Sequence, residues 1–281
     1  MVQLIVDSGS TKADWRLMND GVISAFTTRG LNPYFLGKEE LEEVIRLEVL
    51  PLISPTVINR IFFYGAGCGA EIRKQQVQHA LRVFFPQTTL FIGTDLLGAA
   101  KALLKNDGGF VIILGTGTNS GLYDGKEIIQ NIDSLGYLLG DEGSGAAIGK
   151  KILREYLRKL LPETLQKAFS IYSPLNREEV LHQLYKQPYP NRFLASLVPF
   201  AAIHVSNPAI QELIKESFRD FFRNIITHYQ DYARYPFCCT GSVAFIFREL
   251  LQTVAAEYGV KIHKILQSPI DEMVGYHLFQ S

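Results

Sequence analysis

Cysteine is scarce in this sequence: three occur in 281 residues, and two of them, Cys238 and Cys239, are adjacent. No C-x-x-C pair is present, so the cysteines form neither a disulfide framework nor a zinc knuckle. The six histidines show no zinc-ligand spacing. A reducing cytoplasm fits this cysteine usage best, and we predict that location.

Neither sign of charge is in excess, because 28 basic residues balance 28 acidic ones and no basic block occurs. This balance argues against nucleic acid or an anionic membrane surface as the main partner. Long apolar runs are missing too, since none approaches the roughly 20 residues that span a bilayer. The opening run MVQLIV is too short for a signal peptide and is interrupted at Asp7. We therefore expect no nucleic-acid partner and no membrane.

Hydrophobic residues are plentiful, at 47% of the chain, which is ample for a packed core. The length fits two domains of ordinary size or one large domain. Short strands alternate with segments of helical periodicity, the order typical of an α/β sheet, and Pro51 and Pro55 are expected to end the first helix. In the first half, strands are predicted at 4–7, 12–18, 22–28 and 60–64, with a buried strand at 88–93, and helices at 38–52, 70–85 and 96–104.

The second half, from about residue 107, repeats the opening of the chain. In each half an apolar strand leads into a turn of small hydroxyl-bearing residues, then a second strand, a tight turn and a third strand. Asp7–Thr11 aligns with Gly115–Asn119 in this repeat. A duplicated domain is the interpretation we favour, although a repeat this short also arises by chance.

The remainder of the second half is mostly helical by its periodicity. Residues 208–234 are predicted to form one long amphipathic helix. The other predicted elements are a helix from the glycine-rich run 139–149 to 161, three short helices in 166–205, strands at 237–240 and 261–266, and helices at 242–258 and 269–279.

The two turns of small residues, 8–11 and 115–118, have the chemistry of phosphate-binding loops. Small side chains let backbone N–H groups approach a phosphate closely, and hydroxyls add further donors. Asp7 heads the first turn and could orient a hydrated Mg²⁺, an ion that keeps several waters and takes one or two carboxylates. The alternative is a pair of plain hairpin connections.

Asp95 lies where the strand 88–93 gives way to a helix. In open α/β sheets, ligands bind at the carboxyl ends of the strands, so this carboxylate is a candidate for catalysis. The alternative is that Thr94 or Asp95 only caps the helix.

Two other glycine-rich runs fail as nucleotide motifs. Residues 65–70 fit G-x-G-x-x-A, but the acid expected about 20 residues later is missing. Residues 143–151 lack the glycine and the hydroxyl residue of a P-loop, and no clear strand precedes them. Cys68, inside the first run, could be a reactive thiol, although a buried small hydrophobe is the favoured interpretation.

Together these motifs resemble the sugar kinase, Hsp70 and actin superfamily, and more closely the N-acetylglucosamine kinase and BadF/BadG/BcrA/BcrD ATPase family. The resemblance covers nearly the whole chain. It rests on the phosphate motifs 7–16 and 115–120, the connecting motif at Thr94-Asp95, the signature GYLLGDEGSG at 136–145, the adenosine motif at 240–242 and the C-terminal helix at 268–277.

The resemblance implies two ribonuclease-H-like (actin-like ATPase) domains with an ATP cleft between them. The first would comprise residues 1–106 with 268–281, and the nucleotide-binding second would comprise 107–267 with a helical insertion. Two departures from the family pattern concern glycine, which is common where this chain has Ser242 and frequent where it has Ser8 and Ser10.

Residue roles follow from the resemblance. Asp95 would be the catalytic base for the sugar 6-hydroxyl, and Asp7 would hold Mg²⁺ through water. Asn32, Asn119 and Asp141 would hold sugar hydroxyls, with Gly67 bordering the acyl group; Ser8, Gly9, Ser10, Thr11, Lys12, Thr116, Gly117 and Thr118 would contact phosphates, and Gly241 would lie near adenosine.

The expected function is therefore phosphorylation of an amino sugar by ATP with Mg²⁺, and the expected product is N-acetylglucosamine 6-phosphate. Glucosamine, N-acetylmannosamine and N-acetylmuramic acid remain open as acceptors, and a homodimer is a family-level expectation. One alternative is an ATPase activator of a radical enzyme, with an iron–sulfur cluster held by cysteines. Another is a nucleotide sensor without catalysis, against which the intact Asp95 argues.

Overall fold

The computed structural model describes residues 1–19 and 21–279; Gln280 and Ser281, at the end of the predicted first domain, lie outside this range. By the packing of its Cα atoms the chain divides into two compact units. Unit 1 holds Met1–Asp107, Tyr123–Ile129 and the chain from Ser268, and unit 2 holds Gly108–Leu122 and Gln130–Gln267. Residues 123–129 thus pack with unit 1, whereas the sequence assigned this hairpin to the second domain.

The first sheet contains five strands in the order β3-β2-β1-β4-β5 within the described residues. Strand β1 pairs antiparallel with β2 and parallel with β4, and β5 extends the parallel part. The strands are β1 Gln3–Ser8, β2 Lys12–Asn19, β3 Val22–Arg29, β4 Arg60–Gly65 and β5 Thr89–Thr94.

The helices of unit 1 follow the predicted order. They are α1 Lys38–Val44, a π-helical stretch Ile45–Val49, α2 Leu50–Ile53, α3 Glu71–Phe84, α4 Asp95–Leu104 and the C-terminal α14 Ile270–Phe279.

Two local predictions in unit 1 were wrong. Strand β5 lies at the edge of the sheet instead of being buried, and its Phe91 is 37% exposed. Pro51 does not end the first helical segment, because it stands in the first turn of α2, where a missing N–H leaves no hydrogen bond unmade.

The register brings the carboxyl ends of β1, β4 and β5 side by side at one end of the first sheet. Ser8 at the end of β1 pairs with Gly65 on β4, and Gly65 pairs with Thr94 on β5. Across the first hairpin, Asp7 faces Asp14. The loops after β1, β4 and β5 therefore start side by side, as expected for a ligand-binding edge.

The C-terminal helix α14 belongs to the core of unit 1. It packs on α4, β1 and β2, and its Arg16–Asp271 ion pair measures 2.8 Å. The apolar cluster there joins residues from five elements: Ile5, Met18, Tyr64, Ala102, Ile270, Met273 and Val274.

The second sheet has the order β10-β9-β6-β7-β8, which repeats the strand order of the first when each strand is matched in sequence. Its parallel part joins β6, β9 and β10. This shared topology confirms the predicted α/β class with two related domains. The strands are β6 Gly109–Leu114, β7 Thr118–Tyr123, β8 Ile128–Asn131, β9 Phe237–Thr240 and β10 Ile262–Leu266.

Unit 2 carries most of the helices of the described chain. Helix α11 ends at Asn224, ten residues before its predicted end, and four short helices replace the predicted three. The helices are α5 Gly136–Leu139, α6 Gly145–Leu157, α7 Glu163–Tyr172, α8 Arg177–Tyr185, α9 Pro190–Ala195, α10 Val198–Ile203, α11 Pro208–Asn224, α12 Ser242–Ile246 and α13 Arg248–Glu257.

The core of unit 2 forms because α11 repeats apolar residues at helical spacing. Ile210, Ile214, Phe218 and Phe221 recur every three or four residues and are buried on one side of the helix. None of the described helices is long and apolar enough to cross a membrane.

Candidate functional site

The turn after β1 is closed and braced by the backbone. The Gly9 N–H donates to the Lys12 carbonyl at 2.9 Å, and the Gly30 N–H donates to the Thr11 carbonyl at 3.1 Å. A Cβ on Gly30 would lie 2.2 Å from the Gly9 carbonyl oxygen, so only glycine permits this approach. The buried Ser8 hydroxyl accepts from the Leu31 N–H at 2.9 Å. The turn is therefore held in one shape by the loop that follows β3.

Two predicted substrate residues meet beside this turn. Asn32 Nδ2 donates to Ser10 Oγ at 2.7 Å, and Asn32 Oδ1 accepts from the Tyr34 N–H at 2.9 Å. Gly67 has a φ of +80°, and a Cβ there would lie 2.3 Å from Asn32 Oδ1. The loop after β4 is joined to β1 by the Ala66 N–H, which donates to the Ser8 carbonyl at 2.8 Å. Asn32, Gly67 and the first turn thus form one surface.

Three carboxylates gather at the same edge of the first sheet. Burial and, after it, the charges of Asp95 and Asp14 raise the pKa of the partly buried Asp7 from 3.8 to about 7, while the charge of Lys12 opposes them. Lys12 Nζ lies 2.8 Å from Asp14 Oδ2. Because like charges this close disfavour full ionisation, the cluster is a place where a cation would be stabilised.

Asp95 is not the residue that caps α4. The Thr94 hydroxyl accepts from the Leu97 N–H at 3.1 Å, which makes Thr94 the N-cap. Asp95 Oδ1 accepts a hydrogen bond from the N–H of the next residue, Leu96, at 2.8 Å. The capping explanation therefore applies to Thr94, and catalysis by Asp95 stays a prediction.

The cysteines are buried, and their surroundings disfavour thiolates. Burial raises the pKa of Cys68 to about 12, and the charge of Asp95 adds to the effect, which places this thiol near the candidate base. Burial also raises the pKa of Cys238 and of Cys239. Within residues 1–19 and 21–279, no group of three His, Cys, Asp or Glu side chains could hold a metal directly. The interpretation of Cys68 as a small core residue is consistent with this burial.

The turn after β6 is held by a carboxylate. The Gly115 N–H donates to the Gly117 carbonyl at 3.0 Å, and the Thr118 N–H donates to Asp141 Oδ1 at 3.1 Å. A Cβ on Gly117 would lie 3.1 Å from the same oxygen. The segment after Asp141 also runs along the turn, since the Gly145 N–H donates to the Gly115 carbonyl at 2.8 Å.

Asp141 has hydrogen-bond donors inside its own unit. Burial raises its pKa, and the Thr118 N–H and the Ser134 hydroxyl counteract part of that increase. Its φ of +55° is the left-handed conformation that aspartate tolerates better than most residues. The structure therefore gives Asp141 a part in shaping the second turn, and its predicted contact with sugar stays a prediction.

The remaining predicted residues of unit 2 lie at strand ends. Asn119 Oδ1 accepts from the Ser120 N–H and from Asn131 Nδ2, both at 3.0 Å. Gly241 has a φ of +115°, and a Cβ there would lie 2.3 Å from the Leu114 carbonyl oxygen. Beside it, the buried Thr240 hydroxyl has no hydrogen-bond partner among the described residues. A polar atom of this kind is a candidate ligand contact.

The structure distributes the predicted residues over both units. Sequence reasoning missed Asp14 as a site residue, although the tight hairpin places it opposite Asp7. It also missed Ser134, whose hydroxyl only the folded chain brings to Asp141, and it included Thr240 in the adenosine motif without naming a contact for its side chain. Unit 1 holds Asp7, Ser8, Gly9, Ser10, Thr11, Lys12, Asn32, Gly67 and Asp95, and unit 2 holds Thr116, Gly117, Thr118, Asn119, Asp141 and Gly241.

No family model and no curated protein matches this chain, but solved structures do. A Porphyromonas gingivalis protein provisionally named an N-acetylglucosamine kinase is 40% identical over 98% of this chain and 98% of its own, with a TM-score of 0.93. A Chromobacterium violaceum protein with the same provisional name is 18% identical over 98% of both chains, with a TM-score of 0.68.

A glucokinase of the ROK family from Streptomyces griseus, solved with glucose and AMPPNP, has a TM-score of 0.60. It is 16% identical over 99% of both chains, so this likeness and the previous one concern the fold alone. With the two five-stranded sheets, these similarities confirm the predicted two-domain actin-like ATPase fold.

Proposed function

The chain belongs to the same family as the Porphyromonas gingivalis protein provisionally named an N-acetylglucosamine kinase, and on this basis we propose that it is an ATP-dependent sugar kinase. The acceptor that we propose is an amino sugar, N-acetylglucosamine, phosphorylated on its 6-hydroxyl. One observation carries the proposal: Asp95 and Asp7 lie at the same end of the first sheet, where the carboxyl ends of its parallel strands meet, and Asp7 precedes the first phosphate turn.

Asp95 is the proposed general base. Phosphoryl transfer depends on positioning and charge stabilisation, together with a group that accepts the proton of the attacking hydroxyl. The carboxylate stands at the start of α4 and is not needed as its cap. It would accept the proton of the sugar 6-hydroxyl as that oxygen bonds to the γ-phosphorus of ATP, while the bond from this phosphorus to the bridging oxygen breaks and ADP leaves.

Asn32 and Gly67 support the proposed sugar site in unit 1. The Asn32 amide is oriented by bonds to Ser10 Oγ and to the Tyr34 N–H, so its direction is set before any ligand binds. Gly67 leaves room beside that amide because it has no Cβ. In unit 2 we propose Asn119 and Asp141 as further contacts to sugar hydroxyls.

The two turns support ATP binding. In unit 1 the proposed phosphate contacts are the turn 8–11 and Lys12, and in unit 2 they are Thr116, Gly117 and Thr118. Gly241 is the proposed contact near adenosine, and the unpaired hydroxyl of Thr240 lies next to it in sequence.

The carboxylates of unit 1 fit Mg²⁺. This ion takes oxygen ligands and keeps several waters, so one or two carboxylates are enough to hold it. Asp7, whose pKa is raised by burial and by the charges of Asp95 and Asp14, would hold the ion through water. When bound, the ion would supply positive charge to the phosphates of ATP.

The proposal also covers the broader family, the cellular location and the oligomeric state of the protein. The signature at 136–145 supports membership of the broader N-acetylglucosamine kinase and BadF/BadG/BcrA/BcrD ATPase family. A cytoplasmic location and a homodimer are proposed on family grounds. The iron–sulfur activator has less support, because thiolate ligands are disfavoured at all three buried cysteines.

The test is ATP consumption by wild type and Asp95→Asn with N-acetylglucosamine, glucosamine, N-acetylmannosamine and N-acetylmuramic acid. We expect N-acetylglucosamine to stimulate the wild type most. The asparagine variant should lose at least about 100-fold in kcat and still bind ATP, since the substitution removes the base and keeps the shape.

The matched control is Asp107→Asn, which neutralises an exposed aspartate after α4 and should leave kcat unchanged. Turnover without stimulation by any of the four sugars would contradict the kinase proposal. Stimulation that survives in Asp95→Asn would leave the kinase and remove Asp95 as its base.

A further inference from the structure

Away from the phosphate turn, unit 1 contains two adjoining cavities that share Lys101 and Tyr276 as lining residues. Their volumes are about 390 and 200 Å³. We call them together the Lys101 groove. Ligand pockets typically enclose about 300–1,000 Å³, so the groove is large enough for a small molecule.

Lys101 is partly buried and lies among aromatic rings. Its Nζ is 4.8 Å from the ring centre of Phe91, 5.4 Å from that of Tyr276 and 5.5 Å from that of Tyr64. It donates to Tyr64 Oη at 3.3 Å, and Tyr64 Oη lies 3.0 Å from His277 Nε2. Burial raises the pKa of Tyr64 and lowers the pKa of His277 to about 4, so both groups are neutral and neither supplies negative charge.

The absence of a counter-charge sets Lys101 apart from comparable lysines. Lys151, with 17% of its side chain exposed, lies 2.8 Å from Asp220, and Lys215, with 23% exposed, lies 3.7 Å from Glu212. No carboxylate of residues 1–19 or 21–279 pairs with Lys101. Burial accordingly lowers the pKa of its ammonium group, because the protein does not replace the stabilisation lost from water.

Two more cations line the groove, Arg60 and Lys126. Neither has a side-chain ion pair among the described residues, although the charge of Lys126 acts on Asp124 in the same hairpin. Lys126 is placed by its hairpin, where a Cβ on Gly125 would lie 2.3 Å from the Asn106 carbonyl oxygen. One acidic residue, Asp124, also lines the groove. Its Oδ1 accepts hydrogen bonds from the backbone N–H groups of Lys126 and Glu127 within the same turn. The groove therefore combines three cations with one acid that serves the turn.

The other lining is aromatic. Phe62 stacks on His277, with ring centres 3.9 Å apart, and Phe91 on the edge strand is exposed. Tyr276 completes this side. Rings and cations that meet in one groove recognise a molecule with an apolar or planar body and a negative group.

We propose that the Lys101 groove binds a small organic anion, in which a phosphate or carboxylate bonds to Lys101 and Lys126 and a planar apolar body packs on Phe62, Phe91 and Tyr276. The site is separate from the phosphate turns, and the proposal does not depend on sugar kinase activity.

The test is isothermal titration calorimetry of the full chain at low salt. The probes are phenyl phosphate and benzoate, with inorganic phosphate as the anion without a ring and benzyl alcohol as the ring without a charge. We expect phenyl phosphate or benzoate to bind with a Kd below about 1 mM, and both partial probes to bind at least about 10-fold more weakly.

Lys101→Met should weaken the binding of the charged ring probe at least about 10-fold, and Lys101→Arg should retain it. Lys126→Met, on an exposed hairpin where folding is not at stake, should weaken it about 3-fold. Lys167→Met, an exposed lysine of α7, is the neutral control. Absence of binding by both charged ring probes, or weakening by Lys12→Met in place of the groove variants, would overturn the proposal.

Discussion

In unit 1 the turn after β1 lies beside three carboxylates and packs closely against the backbone of Gly30. In unit 2 the turn after β6 is held by one carboxylate, Asp141, which accepts a hydrogen bond from the Thr118 N–H. The strand order is the same in both. Burial raises the pKa of both Asp7 and Asp141. The charges of Asp95 and Asp14 add to the increase at Asp7, whereas the Thr118 N–H and the Ser134 hydroxyl counteract part of the increase at Asp141.

The difference shows how a duplicated topology can divide its tasks. Crowded carboxylates reduce stability in the unliganded chain, so their presence indicates chemistry or a cation. A carboxylate with satisfied hydrogen bonds fixes the shape of a loop instead. We therefore expect neutralisation of Asp7 in unit 1 to raise the free energy of unfolding, and removal of the Asp141 carboxylate in unit 2 to lower it.

The largest effect on stability is expected from Gly30→Ala. Its Cβ would overlap the Gly9 carbonyl oxygen, so the first turn and the following loop must separate, at a cost of about 3 kcal/mol. Urea unfolding followed by Trp15, the single tryptophan, reports on unit 1. The control is Gly115→Ala in the second turn, in unit 2, where a Cβ would meet no atom within 4 Å. Circular dichroism in urea, which follows the helices of that unit, should show little change in its stability. Equal losses in both variants would contradict the difference in bracing.

Next in size is Asp141→Ala, which removes the acceptor of the Thr118 N–H and should destabilise unit 2 by about 2 kcal/mol. Asp141→Asn keeps an acceptor and tolerates the left-handed φ, so it should cost less than about 1 kcal/mol. Circular dichroism in urea follows the helices of unit 2. If asparagine is as harmful as alanine, the negative charge itself braces the turn.

Asp7 should make the stability of unit 1 depend on pH. Its pKa is about 7 in the folded chain and ordinarily 3.8, so between these values the folded state binds more protons than the unfolded state. Stability from this group therefore falls as pH rises from about 4 to 7, by about 2 kcal/mol after allowance for partial exposure. Asp7→Asn should remove that slope and exceed wild type in urea resistance at pH 8. An unchanged slope would contradict the carboxylate cluster.

The smallest effect on stability is expected from Lys12→Met. The side chain is 64% exposed and its pair with Asp14 is open to solvent, so the free energy of unfolding should change by less than about 0.5 kcal/mol. The proposed phosphate contact predicts instead a higher KM for ATP. A KM equal to that of wild type would exclude Lys12 from the phosphate site.

Local patterns were enough to predict much of this molecule. The two turns of small residues, the strands around them and the helix start at Asp95 were predicted correctly, because turn chemistry and hydrophobic period are properties of short segments. The repeat of the turns predicted the shared topology of the two sheets.

What the sequence could not predict depends on contacts between distant segments. The edge position of β5 is set by strand order, and α2 runs past Pro51 directly after a π-helical stretch that no local pattern predicted. The bond from Thr118 to Asp141 joins residues 23 apart in sequence. The aromatic surroundings of Lys101 include residues from β4, β5 and α14, which no periodicity relates.

The position of α14 has a consequence for how the chain is made. Its Ile270, Met273 and Val274 cover apolar side chains of β1, β2, β4 and α4, which are all synthesised before residue 108. About 160 residues separate that point from α14, and a ribosome adds about 5–20 residues per second. The N-terminal unit therefore waits about 10–30 s for its last helix, and during this interval the apolar side chains that α14 will cover have no partner from that helix.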